Sequence, residues 1–474
     1  MGPQPVHAVR LANSLLSNGV AWDGSDTGTG KTYTTCAILR NLKRKFVIIC
    51  PKFARPQWVE VLAKFGLQAE FIINYEKLSR GNTSVYKHIT AAKYRELHGI
   101  DPSVVLDPHR CSIFKIPKDR VIILDESHKC KGIESLNSGL MVNLSIQKYT
   151  VLLLSATQAA TPLDMRAFGY LMGLHDFSMH DFKRFAEASG AEWVGRWGAM
   201  FFDTDKPESM AKLAEVRKNL FDDRCIGARM RKADFDGVFP KSQVVAEAYD
   251  MGTASDKIQE AYNEMEVELD RLEEQSKNYK EHALAIITKA RRLAELYKVP
   301  TMVQMANDFH TEGRSTVIFV NYTETIEAIH RRLVADHGDN KVGLIYGGRK
   351  EWEKNRDIAE FQQDKRVFMV ANLASGGQSI NLHDVMGGRP RSSLVNPSYS
   401  ALNVIQSLGR IDRAYAQSDV YQRFLYAART IESSVVTRFH HKHTFVTALN
   451  DGTLTDADLI PTKRLFALAR GMNV

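Results

Sequence analysis

Ser25-Asp-Thr-Gly-Thr-Gly-Lys-Thr32 decides how this chain is read. Closely spaced glycines let a backbone turn tightly, so that successive N–H groups point at phosphate oxygens. Thr27, Gly28, Thr29 and Gly30 form such a cradle, Lys31 reaches toward β- and γ-phosphates, and the Thr32 hydroxyl helps hold Mg²⁺. The spacing predicts a helix over residues 33–45, its positive N-terminal end beneath the phosphates. The full pattern opens on glycine; here Ser25 stands in that place, with Gly24 just before it. The loop alone says nucleoside triphosphate, and what is attached to it must say the rest.

The chain of 474 residues is too long for one ordinary core, so two or more domains are expected. Apolar content of 44% and charged content of 25% are those of a globular chain that meets water. The net charge of +8 favours an anionic partner, nucleic acid first. Cys36, Cys50, Cys111, Cys130 and Cys225 form no CxxC pair, which argues against a zinc cluster or disulfide framework and for a reducing compartment. No apolar run approaches the ~20 residues that cross a bilayer, and the first residues lack the charged-then-apolar layout of a signal peptide. A cytoplasmic protein is expected.

Working outward from the loop, residues 4–16 carry apolar side chains at helical spacing, and residues 56–65 look helical too. Apolar runs at 46–50, 71–74, 121–124 and 149–154 read as buried strands, each ending in polar residues. Residues 81–118 give no clear pattern, 165–220 read as mostly helical, and 241–250 as a connector. A charged helical stretch follows over 256–310, broken near Pro300; it keeps no clean heptad, so helices packed on a second domain are expected rather than a coiled coil. Strand patterns then restart at 316–320, 342–346, 367–370, 393–395 and 424–426. The fold class is α/β with parallel sheets. One domain spans 1–240, including a helical extension over 165–235, and the other spans 241–474. Two such sheets with one phosphate loop suggest one nucleotide held between two lobes.

Asp125-Glu126 ends an Ile/Val-rich strand downstream of the loop. Asp125 would hold Mg²⁺ through water, and Glu126 would orient and deprotonate the attacking water. An exposed acidic pair at a strand end is the plain alternative, and the upstream loop weighs against it. His128 reads evenly as a coupling residue or a surface histidine. Ser155-Ala-Thr157 ends the next strand, where hydroxyls could relay the state of the acidic pair. Gln406-Ser-Leu-Gly-Arg-Ile-Asp-Arg413 places Arg410 and Arg413 three apart, which on a helix is one face. Aimed at a γ-phosphate they would act as arginine fingers; an isolated pair of this spacing is by default solvated.

In this order the motifs SDTGTGKT, DESH, SAT, SGGQSINL (375–382) and QSLGRIDR resemble superfamily 2 helicases and translocases, and look closest to the Swi2/Snf2-like branch. Compact examples occur in phages and large DNA viruses. The resemblance implies two RecA-like lobes around an inter-lobe ATP cleft, with ATP and Mg²⁺ as cofactors. It gives Gln4 an adenine-reading role, and Gln406 a place in the catalytic set with Lys31, Asp125, Glu126, Arg410 and Arg413. Cys50-Pro-Lys52 with Trp58, and Ile73-Asn-Tyr75, look like the first DNA-contact motifs; Arg229-Met-Arg-Lys232 resembles the basic segment closing the first lobe. Ser379 stands where glycine is usual, Gln158 after Ser155-Ala-Thr157 is nearer to true helicases, and Ala414-Tyr415 departs from chromatin remodellers. Nucleosome remodelling is therefore not expected.

By the same match Lys52, Arg55, Tyr75, Asn321, Gly347, Gly348, Arg349 and Ser375 are expected to contact nucleic acid, mainly at phosphates. The basic run 43–45 and His440-His-Lys-His443 read as polar faces, and Trp352 and Tyr399 as packing residues with rings able to stack on bases. The expectation is a monomeric ATP-driven motor on forked, branched or duplex DNA that separates strands or drives branch migration, with no membrane partner. A duplex translocase that does not unwind, an RNA helicase and a scaffold with a dead motor are the alternatives. Intact Lys31, Asp125, Glu126, Arg410 and Arg413 weigh against the last.

Overall fold

The structure, a computed structural model, describes residues 4–81, 83–101, 111–131, 135–176, 178–194, 199–275, 279–373, 380–398, 400–430, 432, 446 and 449–450. The chain divides into Met1–Asp236 with His441–Leu454, and Gly237–His440 with Thr455–Val474.

Unit 1 runs α1 (Gln4–Ser17), β1 (Val20–Asp23), α2 (Lys31–Leu42), β2 (Phe46–Cys50), α3 (Arg55–Phe65), β3 (Phe71–Asn74), α4 (Tyr75–Ser79), β4 (Tyr86–His88), α5 (Ala91–His98), β5 (Ser112–Phe114), β6 (Val121–Asp125), α6 (Leu136–Ile146), β7 (Thr150–Leu154), α7 (Met165–Leu171), α8 (Met179–Ala188), β8 (Ala191–Val194), β9 (Ala199–Phe202), α9 (Pro207–Lys218) and β10 (Gly227–Ala228). Its main sheet is parallel throughout, in the order β10-β1-β7-β6-β2-β3. The strands are apolar on both faces because both faces are covered. Val47, Ile49, Ile122, Leu124, Val151 and Leu153 join one core, while their neighbours Ile48, Ile123, Leu152 and Leu154 join the other. Each fully buried side chain of this kind contributes about 1.5–3 kcal/mol relative to exposure. Trp22 of β1, wholly buried, packs edge-on against Phe168 and Phe221, and its Nε1 donates to Ser155 O at 3.1 Å.

Unit 2 runs β11 (Ser242–Tyr249), α10 (Thr253–Gln275), α11 (Tyr279–Tyr297), α12 (Val299–Thr311), β12 (Ser315–Val320), α13 (Thr323–His337), β13 (Val342–Ile345), α14 (Glu351–Gln362), β14 (Phe368–Asn372), β15 (Arg391–Val395), α15 (Ala401–Leu408) and β16 (Val420–Ala427). Its sheet is also all parallel, in the order β11-β16-β15-β12-β14-β13. The alternation repeats: Val317, Phe319, Met369 and Val395 face one core, and Ile318, Val320, Val370 and Leu394 the other.

One reading of local structure changes, and two stretches gain detail. Residues 242–249 are an edge strand of the second sheet and not a connector; Ala246 is buried and Val244 packs on the same core, the period-2 signature of one covered face. Within 165–220 the helices are interrupted by the antiparallel pair β8–β9. Residues 81–118 contain the antiparallel pair β4–β5, with α5 between its strands in sequence. The charged stretch at 256–310 lies in three helices, and Pro300 opens the last of them, where a missing N–H costs nothing. Ile258 and Tyr262 of α10 pack with Ala290 and Ala294 of α11 against Ala427 at the end of β16.

Candidate nucleotide site

β1, β7 and β6 are adjacent, and the candidate site of unit 1 stands at their C-terminal ends. Gly28 and Gly30 take φ of 88° and 94°, values that side chains with a Cβ avoid, and α2 starts at Lys31 immediately after them. The first N–H groups of a 12-residue helix therefore open at the end of the loop. Lys31 is bent back over its own loop, its Nζ donating to Ser25 O at 2.8 Å and Asp26 O at 3.0 Å. Burial pushes the amine below its ordinary value, while the charges of Asp23, Glu126, Asp26 and Asp125 pull it back up. Gln4 Nε2 reaches Thr29 O at 3.5 Å, so the helix before the loop does touch it.

Beneath the loop lies a network that motif reading missed. Asp23, fully buried, accepts from Ser25 N at 3.0 Å and sits 3.1 Å from His7 Nε2. His7 Nε2 is also 3.2 Å from Ser25 Oγ. Burial pushes the Asp23 carboxyl up, but the His7 ring, with Lys31 and Ser25, more than offsets it and holds the carboxyl below its ordinary value. Met230 N donates to Ser25 Oγ, and Arg229 clasps the loop through Asp26 Oδ1 at 2.9 Å and Gly24 O at 2.7 Å. His7 follows Gln4 by one helical step of three, which was the one available signal that both face the loop.

Asp125 is gripped from two sides. Trp58 Nε1 donates to its Oδ2 at 2.8 Å, and the Tyr75 hydroxyl donates to its backbone O at 2.8 Å. Burial and the adjacent Glu126 charge push the Asp125 carboxyl up to about 7, against the Trp58 hydrogen bond and Lys31. Glu126 takes a left-handed backbone (φ 54°), which costs a residue with a Cβ about 1–3 kcal/mol and swings its side chain out of the strand direction. His128 Nδ1 lies 3.3 Å from Glu126 Oε2 and 3.2 Å from Ser155 Oγ, and Ser155 Oγ accepts from Thr157 N at 3.2 Å. Glu126, His128, Ser155 and Thr157 are thus one continuous polar chain.

The donor set fits a magnesium nucleotide. Mg²⁺ needs one or two carboxylates beside phosphate oxygens and water, and Asp125 with the Thr32 hydroxyl are groups of that kind. A carboxylate raised by burial gains most from a nearby cation. Asp23 Oδ2 and Thr157 Oγ1 are buried with no hydrogen-bond partner among the described residues.

Tyr75 and Trp58 correct the sequence reading. Both are at most 1% exposed and brace Asp125 from within, so neither has a surface to offer nucleic acid. Lys52 and Arg55 are exposed, and both line a cleft of about 760 Å³ with Lys77 and Asn74 beside β2 and β3.

In unit 2 the arginine pair does not share a helix face. α15 ends at Leu408, and Arg410 and Arg413 follow on a turn; Gly409 after the helix was the readable stop signal. The turn still gathers them, since both donate to Ile380 O, at 3.4 and 3.5 Å. Arg410 and Gln406 are buried. Gly347 and Gly348 are exposed, while Arg349 is held by Glu353 and by the buried Asp357 at 3.5 and 3.3 Å. Asn321 is partly buried at the end of β12. Trp352 is 60% exposed, with Arg356 over its ring, so it packs on the surface and not in the core. Ser375, Tyr399 and His440–His443 lie outside the described residues.

Residues 24–160 match the family model described as type III restriction enzyme, res subunit. A protein of Acanthamoeba polyphaga mimivirus, whose name calls it an ATP-dependent RNA helicase, is 32% identical over 460 residues, covering 95% of this chain and 83% of that protein. Among solved structures, the chain is similar to the SWI2/SNF2 ATPase core of Sulfolobus solfataricus in complex with double-stranded DNA (15% identity, TM-score 0.36, 100% and 97% of the two chains). It is also similar to Dbp5 of S. cerevisiae bound to RNA and ADP–BeF3 (12% identity, TM-score 0.46, 97% and 93%).

Proposed function

The chain belongs to the superfamily 2 helicases, ATP-dependent enzymes acting on nucleic acid, and from that premise we propose that it is a Swi2/Snf2-like motor on DNA. It works as a monomer in the cytoplasm and separates strands or drives branch migration at forked or branched DNA. The observation that carries the motor reading is the polar chain from Glu126 through His128 to Ser155 and Thr157, which links the acidic pair to the end of the neighbouring strand.

In this reading Lys31 leaves the carbonyls of Ser25 and Asp26 to meet the β- and γ-phosphates, and Gln4 reads the adenine. Mg²⁺, when bound, draws negative charge off the phosphates; Asp125 and Thr32 hold it. Glu126 orients the attacking water and accepts its proton, and His128 passes the change in charge to Ser155. Arg410 and Arg413, backed by Gln406, supply positive charge to the transition state. Lys52, Arg55, Gly347, Gly348, Arg349 and Ser375 meet strand phosphates, and Asn321, whose N–H groups are held within the protein, meets the strand through its amide oxygen. No helix among the described residues is long and apolar enough to cross a membrane.

RNA is the second reading, favoured by the name of the mimivirus relative. The test is ATP hydrolysis and strand displacement on single strands, duplexes, forks, four-way junctions and matching RNAs, with Lys31→Ala as control. Stronger stimulation by DNA than by RNA, with fork unwinding, is expected. The reverse order makes the enzyme an RNA helicase, and no stimulation by either removes the motor reading.

A further inference from the structure

Unit 2 has a strand-to-helix turn of its own in a central place. β12 sits between β15 and β14, and the chain passes from its C-terminal end through Asn321 and Tyr322 into α13. The phosphate loop of unit 1 likewise leaves a parallel strand for a helix, although its strand, β1, lies next to the β10 edge of the first sheet. A turn entering a helix presents backbone N–H groups and the positive end of the helix dipole, and it attracts an anion. Tyr322, the residue that precedes α13, provides no side-chain cap.

An anion is already there, and it belongs to the protein. Glu295 of α11, 1% exposed, accepts from Asn321 N at 3.0 and 2.9 Å on its two oxygens and from Asn321 Nδ2 at 2.8 Å. It accepts also from Tyr322 N at 3.0 Å and from Asn396 Nδ2 at 2.6 Å. Every one of these contacts uses the carboxyl as acceptor, the pattern of an ionised carboxylate. Asn321 and Asn396 both reach on to Pro397 O, and Asn372 at the end of β14 donates to Asn321 O at 2.6 Å. One side chain from the helical segment thus fixes the turns at the ends of β12 and β15. Arg291, one helical turn before Glu295, lines a small pocket of about 60 Å³ directly beside Asn321, Tyr322 and Asn396.

We infer that Glu295 is an internal substitute for phosphate: it fills the unit 2 cradle and sets the position of Asn321 toward the nucleic-acid strand. It is a positioning residue, not a catalytic one, and the inference rests on the proposed reading that Asn321 meets nucleic acid. The helical segment at 253–311 then has a task beyond packing, since α11 determines how unit 2 holds its strand.

The experiment titrates a single-stranded thymidine oligonucleotide, and its RNA counterpart, into steady-state ATPase assays of wild type, Glu295→Ala, Glu295→Gln, Asn321→Ala and the Glu295→Ala/Asn321→Ala double variant. Glu295→Ala is expected to raise the oligonucleotide concentration for half-maximal stimulation about tenfold, the size of one to two lost charge-assisted hydrogen bonds. The kcat at saturating oligonucleotide and the KM for ATP are expected to stay within about twofold. Glu295→Gln, which keeps the shape and one acceptor oxygen, falls between and carries the test if the alanine variant does not fold. The double variant is expected to be no worse than the poorer single one. Acetate added to Glu295→Ala is expected to lower the half-saturation point again by restoring a carboxylate to the cradle. Unchanged half-saturation, an equal loss in kcat and KM for ATP, or additive single effects would each overturn the inference. A wild type that neither oligonucleotide stimulates would instead sink the motor reading itself, so the two failures are distinct.

Discussion

The two strand-to-helix turns, residues 24–30 in unit 1 and 321–322 in unit 2, solve the same electrostatic problem in opposite ways. Both leave a parallel strand and enter a helix, so both expose N–H groups that favour an anion. Unit 1 keeps its cradle for a guest: two glycines hold left-handed φ, and Lys31 is parked on the loop's own carbonyls. Unit 2 fills its cradle from within, with the Glu295 carboxylate receiving five donor contacts. A strand-to-helix turn alone therefore does not settle which unit takes nucleotide. The side chain that closes or leaves open the turn does.

Four substitutions break or sharpen this contrast. Lys31→Ala removes the cation of the open cradle and is expected to take both ATP binding and hydrolysis to background, read by equilibrium binding and steady-state turnover. Arg413→Ala is expected to lower kcat on the order of a thousandfold while the Kd for ATP stays within about threefold, because an arginine finger acts on the transition state alone. Equal loss of binding in the two variants would refute the separate roles.

Glu432→Ala tests the frame around the filled cradle. Lys298 of unit 2 is wholly buried and pairs with Glu432 at 2.6 Å, and Glu432 accepts from Ala427 N at the end of β16. Removing one member of a buried pair costs about 3–5 kcal/mol, seen as a lower urea midpoint with unit 1 little affected. Replacing both residues with methionine is expected to be far milder.

The smallest effect is a pH dependence. Burial, with Arg413 and Arg391 nearby, pushes the His383 ring from 6.5 down to about 4. A lowered folded value means the unfolded chain takes the proton first. The stability is complete above 6.5 and is lost as pH falls from there toward about 4. His383→Gln is expected to flatten the fall of Tm across that window by about 2–4 °C.

The sequence carried the parallel sheets because their strands are continuous apolar runs, such as residues 46–50 and 121–124, closed by polar residues. The phosphate loop and acidic pair were legible for a different reason, since their residue types and spacing are dictated by phosphate geometry. The supports were not legible. Trp58 and Tyr75 brace Asp125 across 67 and 50 residues of sequence, and nothing local distinguishes such a bracing ring from one on the surface. Glu295 was hidden most deeply, as one acid among many on a charged amphipathic helix. Only the ends of β12 and β15 give it a purpose. The strand at 242–249 and the turn after Gly409 were readable in principle, from period-2 burial and a glycine stop.

Nucleotide stoichiometry tests the contrast between open and filled cradles most directly. Calorimetric titration of a non-hydrolysable ATP analogue with Mg²⁺ is expected to find one equivalent per chain in wild type, and none in Lys31→Ala. Two equivalents in the wild type, or one that survives Lys31→Ala, would contradict the account.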